Sequence, residues 1–124
     1  YGSLNAIDVN NMEKGSLPPT FVWRYVTQTP PTSGTVSTAG GLVFMGSPEG
    51  YLKAFDDETG QILWRFNTGS GIRGSTTTFM VDDDQIVAVP SGYGGWTGWA
   101  PGGAATWLTP TKGCTVFGFT LFQE

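Results

Sequence analysis

Apolar residues in this chain fall in short runs, and turn-forming residues separate the runs. Gly or Pro interrupts nearly every window long enough to hold a helix. The runs are rich in β-branched and aromatic residues. They predict strands near Ser3–Ile7, Phe21–Thr27, Leu42–Gly46, Tyr51–Phe55, Ile62–Phe66, Thr76–Val81, Gln85–Pro90 and Thr115–Leu121. Eight short strands with tight turns and little helix predict an all-β fold.

The same pattern repeats. Gly2-Ser3-Leu4-Asn5-Ala6-Ile7-Asp8 aligns with Gly50-Tyr51-Leu52-Lys53-Ala54-Phe55-Asp56, 48 positions later, with Gly, Leu, Ala and Asp in register. Each copy runs on to a strand with an aromatic–cation–aromatic triplet, Trp23-Arg24-Tyr25 and Trp64-Arg65-Phe66. The first connection is long, from Val9 to Thr20, and the second is the tight Asp57-Glu58-Thr59-Gly60. A weaker third copy, Val116 to Leu121, carries Gly118 at the small position of Ala6 and Ala54. A repeat of roughly 40–50 residues built of four strands is the signature of a propeller blade. Asp56 precedes a turn whose Gly60 tolerates positive φ, and Asp and Thr side chains bond turn N–H groups. Small Ala54 leaves room for a ring, and the expected role of Trp23 and Trp64 is packing onto a neighbouring blade.

Propellers close with roughly 4–8 blades, and 124 residues hold about two copies and a remnant. The expectation is one all-β unit over 1–124, about two four-stranded blades. Repeat 1 spans about 2–49, and repeat 2 about 50–112 including a Gly/Trp-rich loop at 91–113. A closing strand follows at 114–122. Two blades leave open edges and half-covered faces, which predicts association with the rest of a ring or with further copies. The chain starts at Tyr1 with no initiator Met, so a targeting segment has been removed or the chain is a piece of something longer.

Charge and composition narrow the chemistry. Six Lys and Arg against ten Asp and Glu give a net charge of −4, with no basic stripe for nucleic acid. No apolar run approaches the length of a membrane-spanning helix. There is no His, so the commonest general base and metal ligand is missing. The one cysteine, Cys114, allows neither an internal disulfide nor a thiolate cage, and is expected to pack as a small apolar residue. Asp82-Asp83-Asp84 reads as a solvated hairpin turn rather than a cation site, and Arg73 as a surface charge rather than an anion ligand.

One segment stands apart. From Gln85 to Thr111 no residue is charged, and three of the five Trp lie there among glycines, in Gly94-Gly95-Trp96-Thr97-Gly98-Trp99 and at Trp107. Rings on a Gly-rich backbone suit a flat apolar ligand, because Gly admits close approach. They equally suit a cover that hides apolar rings between blades. The two readings stand side by side on composition alone. Gly92-Tyr93-Gly94 opens no helix, so it is no dinucleotide fingerprint.

Four stretches in this order resemble a known family: Thr38-Ala39-Gly40-Gly41-Leu42-Val43-Phe44-Met45-Gly46, then Glu49 to Asp56 with Thr59-Gly60-Gln61-Ile62-Leu63-Trp64-Arg65-Phe66, then Thr68-Gly69-Ser70-Gly71-Ile72, then Ser91-Gly92-Tyr93-Gly94-Gly95-Trp96. They are similar to the C-terminal part of pyrroloquinoline-quinone (PQQ)-dependent alcohol dehydrogenases, the methanol and ethanol dehydrogenase group. The resemblance implies an eight-bladed parent propeller locked by tryptophan docking. It implies a periplasmic location, PQQ with a calcium or lanthanide ion, oxidation of alcohols with an Asp as base, and a cytochrome c as electron acceptor. Carried over by position, Gly95 and Trp96 match a Gly-Trp pair beside the quinone and are the cofactor-binding candidates. Where family members carry Trp or Asn near the quinone, this chain has Thr32. The family's catalytic Asp and metal ligands belong to earlier blades, so no catalytic and no metal-binding residue is assigned. Asp8 and Asp56 are turn residues. The expected role is a C-terminal fragment supplying the last blades and one wall of the cofactor pocket, inactive alone. The alternative is a non-enzymatic propeller module for protein binding or self-assembly.

Overall fold

The computed structural model describes residues 1–10, 21–92 and 113–120. These form nine strands: β1 (Gly2–Ile7), β2 (Phe21–Thr27), β3 (Thr35–Ser37), β4 (Leu42–Gly46), β5 (Tyr51–Asp56), β6 (Ile62–Asn67), β7 (Thr77–Val81), β8 (Asp84–Ser91) and β9 (Thr115–Thr120). They pair antiparallel into three sheets, ordered β1-β2, β3-β4-β5-β6 and β7-β8-β9. The eight predicted strands are present within one or two residues at their described ends. β3 is the addition: only Val36 is apolar in it, and pairing of Thr35 with Met45 and Val36 with Phe44 makes it a strand. The architecture is therefore one complete four-stranded blade between a two-stranded and a three-stranded one.

The sequence repeat is a repeat of register. Ala6 faces Trp23 and Leu4 faces Tyr25 across β1-β2, as Ala54 faces Trp64 and Leu52 faces Phe66 across β5-β6. Both hairpins shift register just after that Ala. In the third sheet Gly118 pairs with Ala88, as Ala54 pairs with Phe44. Each copy thus begins on what is the third strand of a full blade.

Because side chains alternate along a strand, the central sheet has two apolar faces. Leu52, Ala54 and Phe44 meet Ile72 of the β6-β7 connection and Val87 and Val89 of the third sheet in one buried cluster, with Phe117 and Phe119 packed against it. On the opposite face Phe55 is fully buried against Trp23 and Tyr25 of the first sheet. Lys53 is buried on that face too; its Nζ donates to the Tyr25 hydroxyl at 3.2 Å. The outer sheets show the reverse. Val22 and Val26 in the first, and Val116 in the third, are more than half exposed. No helix among the described residues is long and apolar enough to cross a membrane.

Candidate functional site

The Gly/Trp-rich segment is an excursion between β8 and β9. The candidates Gly95 and Trp96 lie outside the described residues, but both ends of the excursion are described. At its root Gly92 and Gly113 press together: a Cβ on Gly92 would sit 2.5 Å from the Gly113 carbonyl oxygen, so no larger residue fits there without backbone movement. Beside the root is a cavity of about 350 Å³, between Gly74, Pro90, Ser91 and Gly92 on one side and the run Gly113 to Val116 on the other. Among the described residues the lining carries no carboxylate. Ser91 and Thr115 are its hydroxyl-bearing residues, a lining compatible with an acidic, flat cofactor.

The root is tied to the complete blade by hydroxyls. Ser91 Oγ donates to Thr68 Oγ1 at 2.8 Å and lies 3.1 Å from the Ser70 carbonyl oxygen. The Thr68 hydroxyl in turn reaches the carbonyls of Gly50 and Ser70, each at 2.9 Å. Backbone bonds run alongside: Gly92 N–H to Gly71 O at 3.0 Å, Thr68 N–H to Gly50 O at 2.8 Å, and Ile72 N–H to Ser47 O at 3.0 Å. Gly50, at φ 91°, would place a Cβ 2.8 Å from the Ser70 carbonyl, which is why Gly stands there. The Ser70 hydroxyl is buried and has no partner among the described residues. Sequence reading missed this cluster. Ser and Thr are common in turns, and only the fold brings positions 50, 68, 70 and 91 together.

Two expectations are corrected here. Cys114 is exposed at the root instead of packed, just ahead of β9 and outside the sheets of the described residues. Arg73 is half-buried in the connection from β6 to β7 and is no free surface charge. Thr32 is exposed. Asp82 and Asp83 form the two-residue turn of the β7-β8 hairpin, with Asp82 at φ 52°, a conformation Asp tolerates.

The two tryptophans sit in unequal seats. Trp23 donates its indole N–H to the Asp57 carbonyl of the next blade at 2.7 Å and stacks on Phe55 at 6.4 Å. Gly60, at φ 71°, would place a Cβ 2.6 Å from that indole, so the ring lies on bare backbone. Asp56 builds this seat. Its Oδ1 accepts from Thr59 N–H and Thr59 Oγ–H at 2.7 Å each, and from Glu58 N–H at 3.2 Å. The Thr59 hydroxyl, followed by the backbone N–H groups, holds this carboxyl below its ordinary value of 3.8. Trp64 packs edge-on to Phe119 at 5.2 Å yet is 40% exposed. It borders a mostly apolar cavity of about 290 Å³ with Phe44, Val87 and Phe119. Among the described residues no group of three His, Cys, Asp or Glu could hold a metal ion.

Comparison with known proteins places this architecture. Residues 1–87 match the family described as glucose/ethanol/alcohol dehydrogenase, β-propeller domain. A quinoprotein alcohol dehydrogenase, PedH, of Pseudomonas putida is 49% identical over 74 residues, covering 60% of this chain and 12% of that protein. Subunit 1 of methanol dehydrogenase [cytochrome c] from Methylobacterium organophilum is 40% identical over 98 residues, covering 79% of this chain and 15% of its own length. A europium-containing methanol dehydrogenase structure superposes with a TM-score of 0.72 at 37% identity, over 85% of this chain and 22% of that one. The chain thus spans less than a sixth of these two curated relatives.

Proposed function

The chain belongs to the glucose/ethanol/alcohol dehydrogenase β-propeller family, and from that premise we propose that it forms the last blades and one cofactor wall of a quinoprotein oxidising alcohols. The observation that carries this reading is the pinched root of the Gly/Trp segment, held to the complete blade and lying beside a cavity of about 350 Å³. Gly95 supplies backbone and Trp96 a ring against the quinone. When bound, PQQ would supply the two-electron acceptor for alcohol oxidation, and a calcium or lanthanide ion held by residues of other blades would supply Lewis acidity. The base and the metal ligands lie on other blades, so this stretch excludes water and orients the cofactor but abstracts no proton. Trp23 on Gly60 is one element of a tryptophan-docking motif that locks blade to blade. The exposed valines of both outer sheets are covered by the remaining blades, or by further copies when the chain is alone. A periplasmic location and a cytochrome c acceptor complete the reading.

The test is a pair of measurements. In a complete dehydrogenase carrying this stretch, Trp96→Ala should weaken PQQ binding at least about tenfold while the propeller stays folded. Residues 1–124 alone, given PQQ, calcium, an alcohol and an artificial acceptor, should show no turnover. Sustained turnover by the isolated chain, or PQQ affinity indifferent to Trp96→Ala, overturns the assignment.

A further inference from the structure

Two cations stand opposite each other where the central sheet meets the first. Lys53 on β5 and Arg65 on β6 are direct cross-strand partners, so their side chains leave the same face, the one turned to the first sheet. Like charges in that relation repel. Neither has an ion pair among the described residues. Lys53 Nζ donates to the Tyr25 hydroxyl and lies 5.3 Å from the Tyr25 ring centroid, and the Arg65 guanidinium lies 5.8 Å from the Tyr51 ring centroid. Glu49, just ahead of Tyr51, accepts from the Thr29 hydroxyl instead. Lys53 is 8% exposed, Tyr25 is half-buried and Arg65 is exposed, so the group runs from inside the seam to its rim. The blade pattern does not demand this pair. Asn5 and Arg24 hold the two positions in the first sheet, and Phe117 holds that of Lys53 in the third.

A nearly buried ammonium beside a guanidinium fork, both without a carboxylate, is a donor set suited to an oxyanion. We propose that Lys53 and Arg65, with the Tyr25 hydroxyl, form an anion site at this seam that takes a tetrahedral dianion, inorganic phosphate, between ammonium and guanidinium. The Tyr25 hydroxyl accepts from Lys53 and keeps its own proton to donate, so three kinds of donor are available to one ligand. The bound anion offsets the repulsion between the two cations and ties the first sheet to β6 of the central one. The site is independent of the assignment of Gly95 and Trp96.

The test is a calorimetric titration of inorganic phosphate into the full chain, and into a complete dehydrogenase carrying this stretch, against chloride of equal ionic strength. One saturable site with a Kd of about 1 mM is expected in both. Arg65→Gln and Lys53→Met should each weaken binding at least about tenfold. Arg24→Gln, at the corresponding position of the first sheet, should leave it unchanged. Phosphate should raise the thermal midpoint of the parent chain by about 4 °C at twenty times Kd and leave that of Arg65→Gln where it is in chloride. Arg65 is exposed, so Arg65→Gln carries the test if Lys53→Met does not fold. No saturable binding by the chain, or an affinity indifferent to Arg65→Gln, overturns the proposal. Binding by the chain that is absent from the complete dehydrogenase overturns it too, because a carboxylate of another blade then already serves the pair.

Discussion

The central blade has two seams, and the same residues meet differently across them. On one side Trp23 and Tyr25 close on Phe55; on the other Trp64 and Phe66 close on Phe119, in corresponding register. Phe55 is fully buried, whereas Trp64 and Phe66 remain 40% and 38% exposed. What separates the seams is the turn. Asp56, Thr59 and Gly60 present a carbonyl and a bare backbone to Trp23, while in the third sheet Thr120 stands at the position that Asp56 holds in the central one. An aromatic pair alone gives attraction; the turn gives it a place to stop.

The contrast is sharpest at the phenylalanines. Phe55→Ala should cost about 4 kcal/mol and Phe119→Ala about half of that, because cavity penalties follow burial. Urea unfolding of the two variants of the chain checks this, and equal losses would erase the distinction between the seams. Gly60→Val comes next. It forces a β-branched residue to φ 71° and a Cβ to 2.6 Å from the Trp23 ring, an expected loss of about 3 kcal/mol by the same measurement. Converting indole to phenyl removes one hydrogen bond at the first seam. Trp23→Phe should lose about 1 kcal/mol and Trp64→Phe a few tenths, since no comparable acceptor meets Trp64 among the described residues.

The smallest effect is a pH dependence. The folded-state pKa of Asp56 is depressed, so its contribution is fully present above the unfolded value and is lost as pH falls through the folded one. Asp56→Asn should therefore flatten the dependence of the thermal midpoint between about pH 5 and pH 2. An unaltered slope would show that the carboxylate does not hold the turn that seats Trp23.

Much of the fold was legible before any coordinates. Gly, Leu, Ala and Asp recur at Gly2 and Gly50 because register, small-residue clearance and turn capping each demand one residue type. β3 was not legible, since Thr35 and Ser37 become strand residues only through pairing with β4. Nor was the exposure of Cys114, which depends on what lies over the root of the Gly/Trp segment. Gly95 and Trp96 were named from a motif and lie outside the described residues. The hydroxyls of Thr68 and Ser91 stand in stretches that carry the resemblance, but their contact with each other is made only by the fold.

The sequence by itself determined the strands, the repeat and the Asp56–Gly60 turn. All three rest on backbone preferences and on bonds between residues close in the chain. Only the tertiary structure decided which tryptophan is seated and which hydroxyls join two blades. Burial and long-range hydrogen bonding depend on the facing surface, and identical local patterns such as Ala6–Trp23 and Ala54–Trp64 meet different surfaces.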